Sequence, residues 1–330
     1  MDLELFKEIL SVDSTSGRER ALSELLASRL EAPALERFEV GDGTENLLFS
    51  WGEPSVVFCT HMDTVPPYIP PVFLEDRVCG RGACDAKGQI LALYTACKRL
   101  EASGADGFGL LLLSGEETGS FGAKAFARTP FRAPFLIVGE PTENRMVSSS
   151  KGTKAFSLRL AGEAFHSGYP QFGVSAVELF VDFVGALREF AAGYEGLTYN
   201  IGLLHSDNPQ NILSPELSCR VYFRTTAASD AAVCDWMMQP RERVEVEAFG
   251  GDAPAEYVTL EGFESAPAAF GSDAPHLSNF GHKIICGPGS IAFAHRPDEH
   301  VLLADLSRAA DLYVAMFRAL TGGDSRSSRE

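Results

Sequence analysis

Apolar residues in the first half of the chain fall into short, unbroken runs separated by glycines and charged residues. The clearest runs are 56–60, 110–113 and 135–138. Such runs are typical of strands buried on both faces, as in a parallel sheet covered by helices. Helices are predicted at 3–10, 19–30 and 90–100, where apolar positions recur at helical spacing. The pattern therefore predicts an α/β fold with a mixed, mostly parallel sheet flanked by helices.

The pattern changes after residue 153, where apolar and polar positions begin to alternate. Phe156, Leu158 and Leu160 alternate with polar neighbours, which indicates a strand with one exposed face. The elements predicted next are a helix at 174–192, strands at 198–204 and 218–225, a helix at 230–238 and a strand at 243–249. This β-α-β-β-α-β order predicts an inserted ferredoxin-like α+β lid domain.

These changes of pattern divide the chain into four parts. The first domain is predicted to consist of residues 1–152 and 250–321. Residues 153–249 form the insert, and residues 322–330 form a polar tail. The tail is polar enough to be predicted as disordered.

Acidic residues and histidine stand where the three buried runs end. His61 and Asp63 follow the first run, Glu116 and Glu117 follow the second, and Glu140 follows the third. Catalytic groups in parallel sheets gather beyond the carboxyl ends of the strands. We therefore expect these side chains to lie together.

A glycine-rich loop, 80–88, carries Asp85 just before the predicted helix at 90–100. Two divalent ions about 3.5 to 4 Å apart need a bridging carboxylate, terminal ligands and an adjacent base, and Asp85 suits the bridge. With the late His295, the strand-end residues complete a ligand set for a two-metal hydrolase. Histidine and carboxylate ligands without thiolate fit zinc, with cobalt and manganese as alternatives.

Each of these motifs also has a purely structural interpretation. A His-x-Asp after one strand is more often a structural histidine, and Glu116-Glu117 alone would be a solvated helix start stabilised by the helix dipole. The coincidence of three strand ends with Asp85 favours the metal site.

The motifs also resemble those of a known family. They are His61-Met62-Asp63, Gly82 to Gly88, Gly115-Glu116-Glu117, Gly139-Glu140-Pro141-Thr142, His166-Ser167-Gly168-Tyr169-Pro170 and His295-Arg296-Pro297-Asp298-Glu299. Their order is similar to that in the acetylornithine deacetylase, succinyl-diaminopimelate desuccinylase and carboxypeptidase family of co-catalytic zinc hydrolases. The resemblance extends over residues 5–318 and implies a zinc-peptidase-like fold.

The resemblance implies a role for each residue of the first domain. Metal one would be bound by His61, Asp85 and Glu140, and metal two by Asp85, Glu117 and His295. Asp63 would fix the tautomer of His61, and Glu116 would be the general base that takes a proton from the attacking water. The Asp85–Ala86 bond is expected to be cis.

For the insert, the resemblance implies a homodimer and a lid. His166 would cross to the neighbouring subunit's site and donate a hydrogen bond to the developing oxyanion. Asn211 and Arg224 would bind substrate, with Arg224 facing an α-carboxylate, and Ser272 would line the site. Tyr222 stands where the family often has an acid that supports this arginine.

The segment 287–299 resembles the acetylornithine deacetylase branch more than the desuccinylase branch, because Gly287-Pro288-Gly289 precedes the His295 motif. The predicted reaction is therefore hydrolysis of N-acetyl-L-ornithine to ornithine and acetate, in arginine biosynthesis. Alternatives are desuccinylation of an N-succinyl amino acid, a carboxypeptidase or dipeptidase activity, and a catalytically silent binding module.

The composition of the chain indicates which kinds of binding partner are not expected. Lysine and arginine total 28 against 45 acids, a net charge of −17, so binding to nucleic acid or an anionic membrane is not expected. The seven cysteines form no paired spacing and are expected to be reduced thiols. No signal peptide or membrane-spanning run is visible, which predicts a cytoplasmic location. The resemblance implies a small N-acyl amino acid as the partner.

Overall fold

A computed structural model of the chain describes residues 1–41 and 43–322. Its α-helices are α1 (Leu3–Ser11), α2 (Arg20–Arg29), α3 (Lys87–Ala102), α4 (Phe121–Phe126), α5 (Ala176–Ala192), α6 (Asp230–Met237) and α7 (Leu303–Thr321). Short 3-10 helices occur at Pro170–Phe172 and Ala274–His276. The predicted tail lies outside the described residues, except for Gly322.

The strands are, in chain order, β1 (Ala34–Gly41), β2 (Thr44–Trp51), β3 (Val56–His61), β4 (Val72–Phe73), β5 (Arg77–Cys79), β6 (Phe108–Leu113), β7 (Ala133–Val138), β8 (Met146–Ser150), β9 (Gly152–Ala161), β10 (Thr198–His205), β11 (Glu216–Thr225), β12 (Val244–Gly250), β13 (Ala255–Glu256), β14 (Ser265–Ala268), β15 (Phe280–Ile285) and β16 (His300–Leu302).

The chain forms two compact units. Among the described residues, the first contains 1–41, 43–148, 257–267 and 272–322, and the second contains Ser149–Glu256 and Ala268–Gly271.

A six-stranded sheet, ordered β1-β2-β6-β3-β7-β15, forms the centre of the first unit. Strands β6, β3, β7 and β15 are parallel, whereas β2 is antiparallel to β6 and β1 is antiparallel to β2. Every residue of β2, β3 and β6 is buried. In β3 and β6 this burial on both faces explains the nearly continuous apolar sequence. The predicted mixed, mostly parallel sheet is confirmed.

Helices α1, α2, α3 and α7 contribute their apolar faces to one core with this sheet. In α7, Tyr313 packs edge-on against Phe58 of β3 at 6.0 Å between ring centroids, and its hydroxyl donates to the carbonyl of Cys286 at 2.8 Å. A buried tyrosine hydroxyl needs such an acceptor, so this contact fixes α7 against the sheet.

The start of the last helix was predicted slightly wrongly. The sequence predicted a helix from about residue 300, but His300–Leu302 is strand β16, which pairs with β5, and α7 begins at Leu303. Pairing with a strand more than 200 positions earlier in the chain is a tertiary interaction that overrides the local helical pattern.

The second unit has an antiparallel sheet ordered β10-β11-β9-β12. Helices α5 and α6 pack on one face, over apolar residues such as Leu158 and Val221. On β12, Glu245 and Glu247 are exposed while Val244 and Val246 contact the core. The predicted ferredoxin-like α+β architecture is confirmed. Its role as a lid or dimerisation domain stays a prediction.

Within residues 1–41 and 43–322, no helix combines the length and the apolar character needed to span a membrane. All seven cysteines of this described part are free thiols.

Candidate active site

The carboxyl ends of three parallel neighbours, β6, β3 and β7, lie at the same edge of the six-stranded sheet. His61 is the last residue of β3, Glu116 comes shortly after β6, and Glu140 comes shortly after β7. Asp85 lies in the loop before α3, and His295 lies in the segment between β15 and β16. The fold therefore brings together residues that are as much as 234 positions apart in the chain, from His61 to His295.

His61 is buried and is held by acceptors on both sides of its ring. Its Nδ1 is 3.0 Å from the backbone oxygen of Asp63 and 3.3 Å from that residue's Oδ1. Because a carbonyl oxygen can only accept, Nδ1 carries the proton. Nε2 lies 3.1 Å from Oδ1 of Asp85. This arrangement directs Nε2 toward the other ligands, as a metal-binding histidine requires.

Asp85, Glu117 and His295 form the second part of the cluster. Nε2 of His295 is 3.0 Å from Oε1 of Glu117 and 3.2 Å from Oδ2 of Asp85. Ligand atoms of His61, Asp85 and Glu117 all lie within 4.8 Å of one another. Asp85 thus contacts one histidine with each carboxylate oxygen, which is the position a bridging ligand needs. The Asp85–Ala86 peptide bond is cis, as the resemblance implies.

Asp63 connects His61 to the turn after β6. Its Oδ1 accepts from the backbone N–H of Glu116 at 3.0 Å, and its Oδ2 accepts from the backbone N–H of Glu117 at 3.1 Å. The hydroxyl of Ser16 also donates to Oδ2, at 2.8 Å. Hydrogen bonds from the His61 ring and from Ser16 outweigh the effect of burial, so the pKa of Asp63 is lowered. A charged Asp63 therefore fixes the turn that carries both glutamates.

Glu140 is 4% exposed, and its Oε1 has no hydrogen-bond partner among residues 1–41 and 43–322. Burial raises its pKa well above the usual range, with His61 opposing this shift and Asp85 adding to it. An unpaired carboxylate oxygen in such a position is costly unless a cation binds there.

The electrostatics of the cluster fit divalent cations. Burial and the neighbouring acids raise the pKa of Glu116 well above its usual range, although His61 opposes the shift. Hydrogen bonds to Asp85 and Glu117 raise the pKa of His295 to about 10. Without cations, these raised pKa values favour the protonated forms of Glu116, Glu140 and His295. Two divalent ions would replace those protons, and the oxygen and nitrogen donors suit zinc, cobalt or manganese.

Asp273 is a buried acid near this cluster for which the sequence predicted no role of its own. Neither carboxylate oxygen makes a hydrogen bond of good geometry within the described residues, and burial raises its pKa to about 7. The charge on Asp273 in turn raises the pKa of both Glu116 and Glu140. Its neighbour Ser272, a predicted substrate residue, is buried, and its Oγ accepts from the N–H of Ala274 at 3.3 Å.

The other predicted substrate residues, His166, Asn211 and Arg224, lie in the second unit. His166 and Asn211 are exposed and lie on adjacent segments, because the N–H of Ser167 donates to the Asn211 carbonyl at 3.0 Å. The guanidinium of Arg224 lies over the ring of Tyr222 at 5.2 Å and pairs with no acid in the described part of the chain. Tyr222 thus contacts Arg224 from the place where the resembling family often has an acid.

The fold and the cluster together are typical of one class of protein, the metal-dependent hydrolases: histidine and carboxylate side chains that could hold a metal ion lie at the end of a mixed α/β sheet. Comparison with known proteins identifies a family of hydrolases as well. The model of peptidase family M20/M25/M40 matches residues 57–319. The chain belongs to this family and is therefore a hydrolase that acts on amide bonds, with divalent metal ions as its cofactors.

Relatives match over nearly the whole chain. A peptidase M20 domain-containing protein of Schizosaccharomyces pombe is 32% identical over 95% of this chain and 83% of its own length. A protein named probable carboxypeptidase, from Aspergillus clavatus, is 28% identical over 94% of this chain and 86% of its own length.

The fold is also that of solved structures. The crystal structure of a tripeptidase from Staphylococcus aureus superimposes with a TM-score of 0.83 at 20% identity, covering 97% of this chain and 98% of the tripeptidase.

Proposed function

We propose that this protein is a two-metal hydrolase that cleaves the amide bond of a short peptide or N-acyl amino acid with a free α-carboxylate. The observation that carries the proposal is the contact of Asp85 with both His61 and His295, beside Glu117 and a turn that presents Glu116. This is the arrangement that a bridging carboxylate and an adjacent base require.

His61, Asp85 and Glu140 would hold one ion, and Asp85, Glu117 and His295 the other. When bound, such a pair supplies Lewis acidity toward the scissile carbonyl and the attacking water. We propose zinc, because the donor set has histidine nitrogen and carboxylate oxygen without thiolate. The buried, unpaired oxygen of Glu140 is the structural feature that a cation would satisfy.

Glu116 would act as the general base. Its burial raises its pKa above that of an ordinary glutamate, toward the range in which a carboxylate accepts a proton and returns it to the leaving amine. Asp63 holds the backbone of Glu116, so the base and the ligand His61 are oriented by the same carboxylate. The base therefore has a fixed position without itself binding a metal.

The carboxylate end of the substrate is the proposed partner of Arg224. No acid in the described part of the chain neutralises this guanidinium, which leaves its donors available for a carboxylate. The relatives named carboxypeptidase are consistent with a substrate of this kind. We propose Asn211 and Ser272 as further substrate residues.

Among such substrates, N-acetyl-L-ornithine stays the predicted preference, because the segment 287–299 resembles the deacetylase branch. The relatives named probable carboxypeptidase favour a second candidate, a carboxypeptidase or dipeptidase that releases a C-terminal amino acid. Both reactions use the same metal site and the same base. They differ only in the acyl group that is removed.

The test is a substrate panel with zinc or cobalt added. It compares N-acetyl-L-ornithine, N-succinylornithine, N-succinyl-diaminopimelate and dipeptides, each dipeptide also as its C-terminal amide. We expect metal-dependent hydrolysis that requires the free carboxylate. A kcat/KM for a dipeptide or N-succinyl substrate more than about tenfold above that for N-acetylornithine, about 1.4 kcal/mol, would replace the predicted substrate. Absence of hydrolysis in a metal-loaded protein would contradict the proposed function.

A further inference from the structure

Glu299 is the last residue of the motif that begins with His295, and its side chain is fully buried. Its Oε1 accepts three backbone hydrogen bonds, from the N–H groups of Gly82 at 2.9 Å, Cys84 at 3.1 Å and Asp85 at 3.1 Å. Backbone N–H groups that converge in this way form an anion-binding concavity. Here the anion is a carboxylate of the protein itself, supplied from more than 200 positions later in the chain.

Gly82 is essential to this concavity. Its φ is +83°, and a Cβ at this position would lie 2.9 Å from Cδ of Lys87 and 3.0 Å from Cγ2 of Thr64. Only glycine adopts this backbone without strain and fits the space.

Arg81 forms an ion pair with the other carboxylate oxygen of Glu299. Its Nη1 pairs with Oε2, and both side chains are almost fully buried, at 2% and 0% exposed. Nη1 of Arg81 also donates to the carbonyl of Arg296 at 3.3 Å, and Nε donates to the carbonyl of Pro67 at 3.3 Å. Additional hydrogen bonds offset the cost of burying such a pair, and two carbonyl oxygens accept from Arg81 here.

These contacts connect two segments that carry proposed ligands of the same ion. Glu299 binds the backbone of Asp85 directly, and it follows His295 by four residues. Its backbone oxygen also accepts from the N–H of Gly80 at 2.9 Å. At the other end of the two segments, Nε2 of His295 is 3.2 Å from Oδ2 of Asp85.

We infer that Glu299 is a positioning residue for the metal site, which together with Arg81 holds Asp85 and His295 at the spacing that the second ion requires. Glu299 does not touch the reacting atoms and acts through Asp85 and His295. The inference rests on the proposed function, because it assumes that His61, Asp85, Glu117, Glu140 and His295 bind two ions.

The experiment is a titration of the metal-free protein with zinc(II) in competition with a chelator of known affinity, alongside thermal unfolding without metal. Glu299→Gln keeps the size of the side chain but has one accepting oxygen in place of two. It therefore cannot accept both from Arg81 and from the three backbone N–H groups. Loss of an outer partner of a metal ligand typically costs 10- to 100-fold in metal affinity. We expect the folded variant to bind one zinc ion at least about tenfold more weakly, with a smaller effect on the other.

Asp298→Asn is the matched control. Asp298 pairs with Arg296 at 2.8 Å in the same segment, but both side chains are more than half exposed. This variant should bind both zinc ions as the wild type does. Arg81→Lys covers the case in which Glu299→Gln does not fold, since it keeps the buried charge pair and removes the guanidinium contacts. It should show the same selective loss of zinc affinity to a smaller extent.

The outcomes separate the two proposals. If wild-type protein bound no zinc, the proposed function itself would fail. If wild type bound two ions and folded Glu299→Gln or Arg81→Lys bound both with unchanged affinity, the positioning role would be wrong. A lower unfolding temperature with unchanged zinc affinity would likewise assign the pair to folding only.

Discussion

Oδ1 of Asp63 accepts a hydrogen bond of 3.0 Å from the backbone N–H of Glu116. The same carboxylate lies 3.3 Å from Nδ1 of His61. One buried acid therefore sets both the direction of a proposed metal ligand and the position of the proposed base. This dual contact explains why a His-x-Asp sequence can be as important as the ligands themselves.

The first prediction concerns this contact. Asp63→Asn replaces one accepting carboxylate oxygen with an amide nitrogen, which can only donate. The N–H of either Glu116 or Glu117 therefore loses its acceptor. We expect kcat to fall about 10- to 100-fold, with zinc content determined alongside. Asp76→Asn, at an exposed acid paired with Arg77, serves as the control and should keep full activity. Wild-type kcat in Asp63→Asn would contradict the proposed role.

The second prediction separates Glu116 from Glu117. Glu116→Gln removes the base without removing a ligand, so both metal ions should stay bound while turnover falls at least about a hundredfold. Glu117→Gln should instead lower the affinity for one ion, because Glu117 lies 3.0 Å from His295. Metal analysis and steady-state kinetics on the two variants distinguish these results. Near wild-type turnover in Glu116→Gln would show that another group is the base.

The third prediction is a proton release on metal binding. In the metal-free protein the pKa of His295 is raised to about 10 by hydrogen bonds to Asp85 and Glu117. A histidine whose folded pKa is raised stabilises the fold fully below about pH 6.5, its unfolded pKa, and the contribution is lost as the pH rises through the folded pKa. At pH 7 a metal ion must therefore displace the proton.

Calorimetric titration with zinc in two buffers of different ionisation enthalpy measures this release. We expect at least one proton per chain, and fewer in His295→Ala. Binding enthalpies that are the same in both buffers would exclude the displaced proton.

Removal of the metal with a chelator should abolish activity, and addition of zinc should restore it.

The fourth prediction concerns a homodimer with shared sites. His166 is exposed in the second unit, and the resemblance implies that it acts in the neighbouring subunit's site. His166→Ala and Glu116→Gln should each be nearly inactive alone. Mixed dimers should regain activity at one of their two sites, measured after confirmed subunit exchange. A monomer in analytical ultracentrifugation, or exchange without recovery, would exclude a shared site.

The fifth prediction tests Arg224. Arg224→Met should lower kcat/KM for substrates with a free α-carboxylate by about 10- to 100-fold, the range of a lost charge-assisted hydrogen bond. The corresponding carboxamide substrates should be much less affected. Arg220→Met is the control, because Arg220 is on the same strand and lies over the ring of Phe249 at 4.6 Å. Equal losses for both variants would assign Arg224 a structural role.

The strand-end residues could be recognised from the sequence because their signals are local. Buried strands such as 108–113 read as apolar runs, and the residue that follows a parallel strand must lie at the sheet's carboxyl edge. His61, Glu116 and Glu140 were therefore placed together from the sequence. The alternation in β9 and β12 likewise predicted a sheet with one exposed face.

Asp273, Glu299 and Arg81 could not be assigned in this way. An isolated acid or arginine gives no periodic signal, and its meaning depends on what surrounds it after folding. Asp273 precedes the short 3-10 helix Ala274–His276, and nothing in its neighbours predicts that both carboxylate oxygens become buried without a hydrogen bond of good geometry within the described residues. The resemblance implies that the neighbouring Ser272 lines the site, but the effect of Asp273 on Glu116 and Glu140 is seen only in the structure.

The sequence by itself determined the order of elements, the fold class and the residue types that gather at one edge of the sheet. The tertiary structure decided which of them touch: Asp63 with the Glu116 turn, and Glu299 with the backbone of Asp85. The reason is physical, since side-chain periodicity reports which face of an element is buried. Hydrogen bonds between residues 53 or 214 positions apart depend on how the whole chain packs.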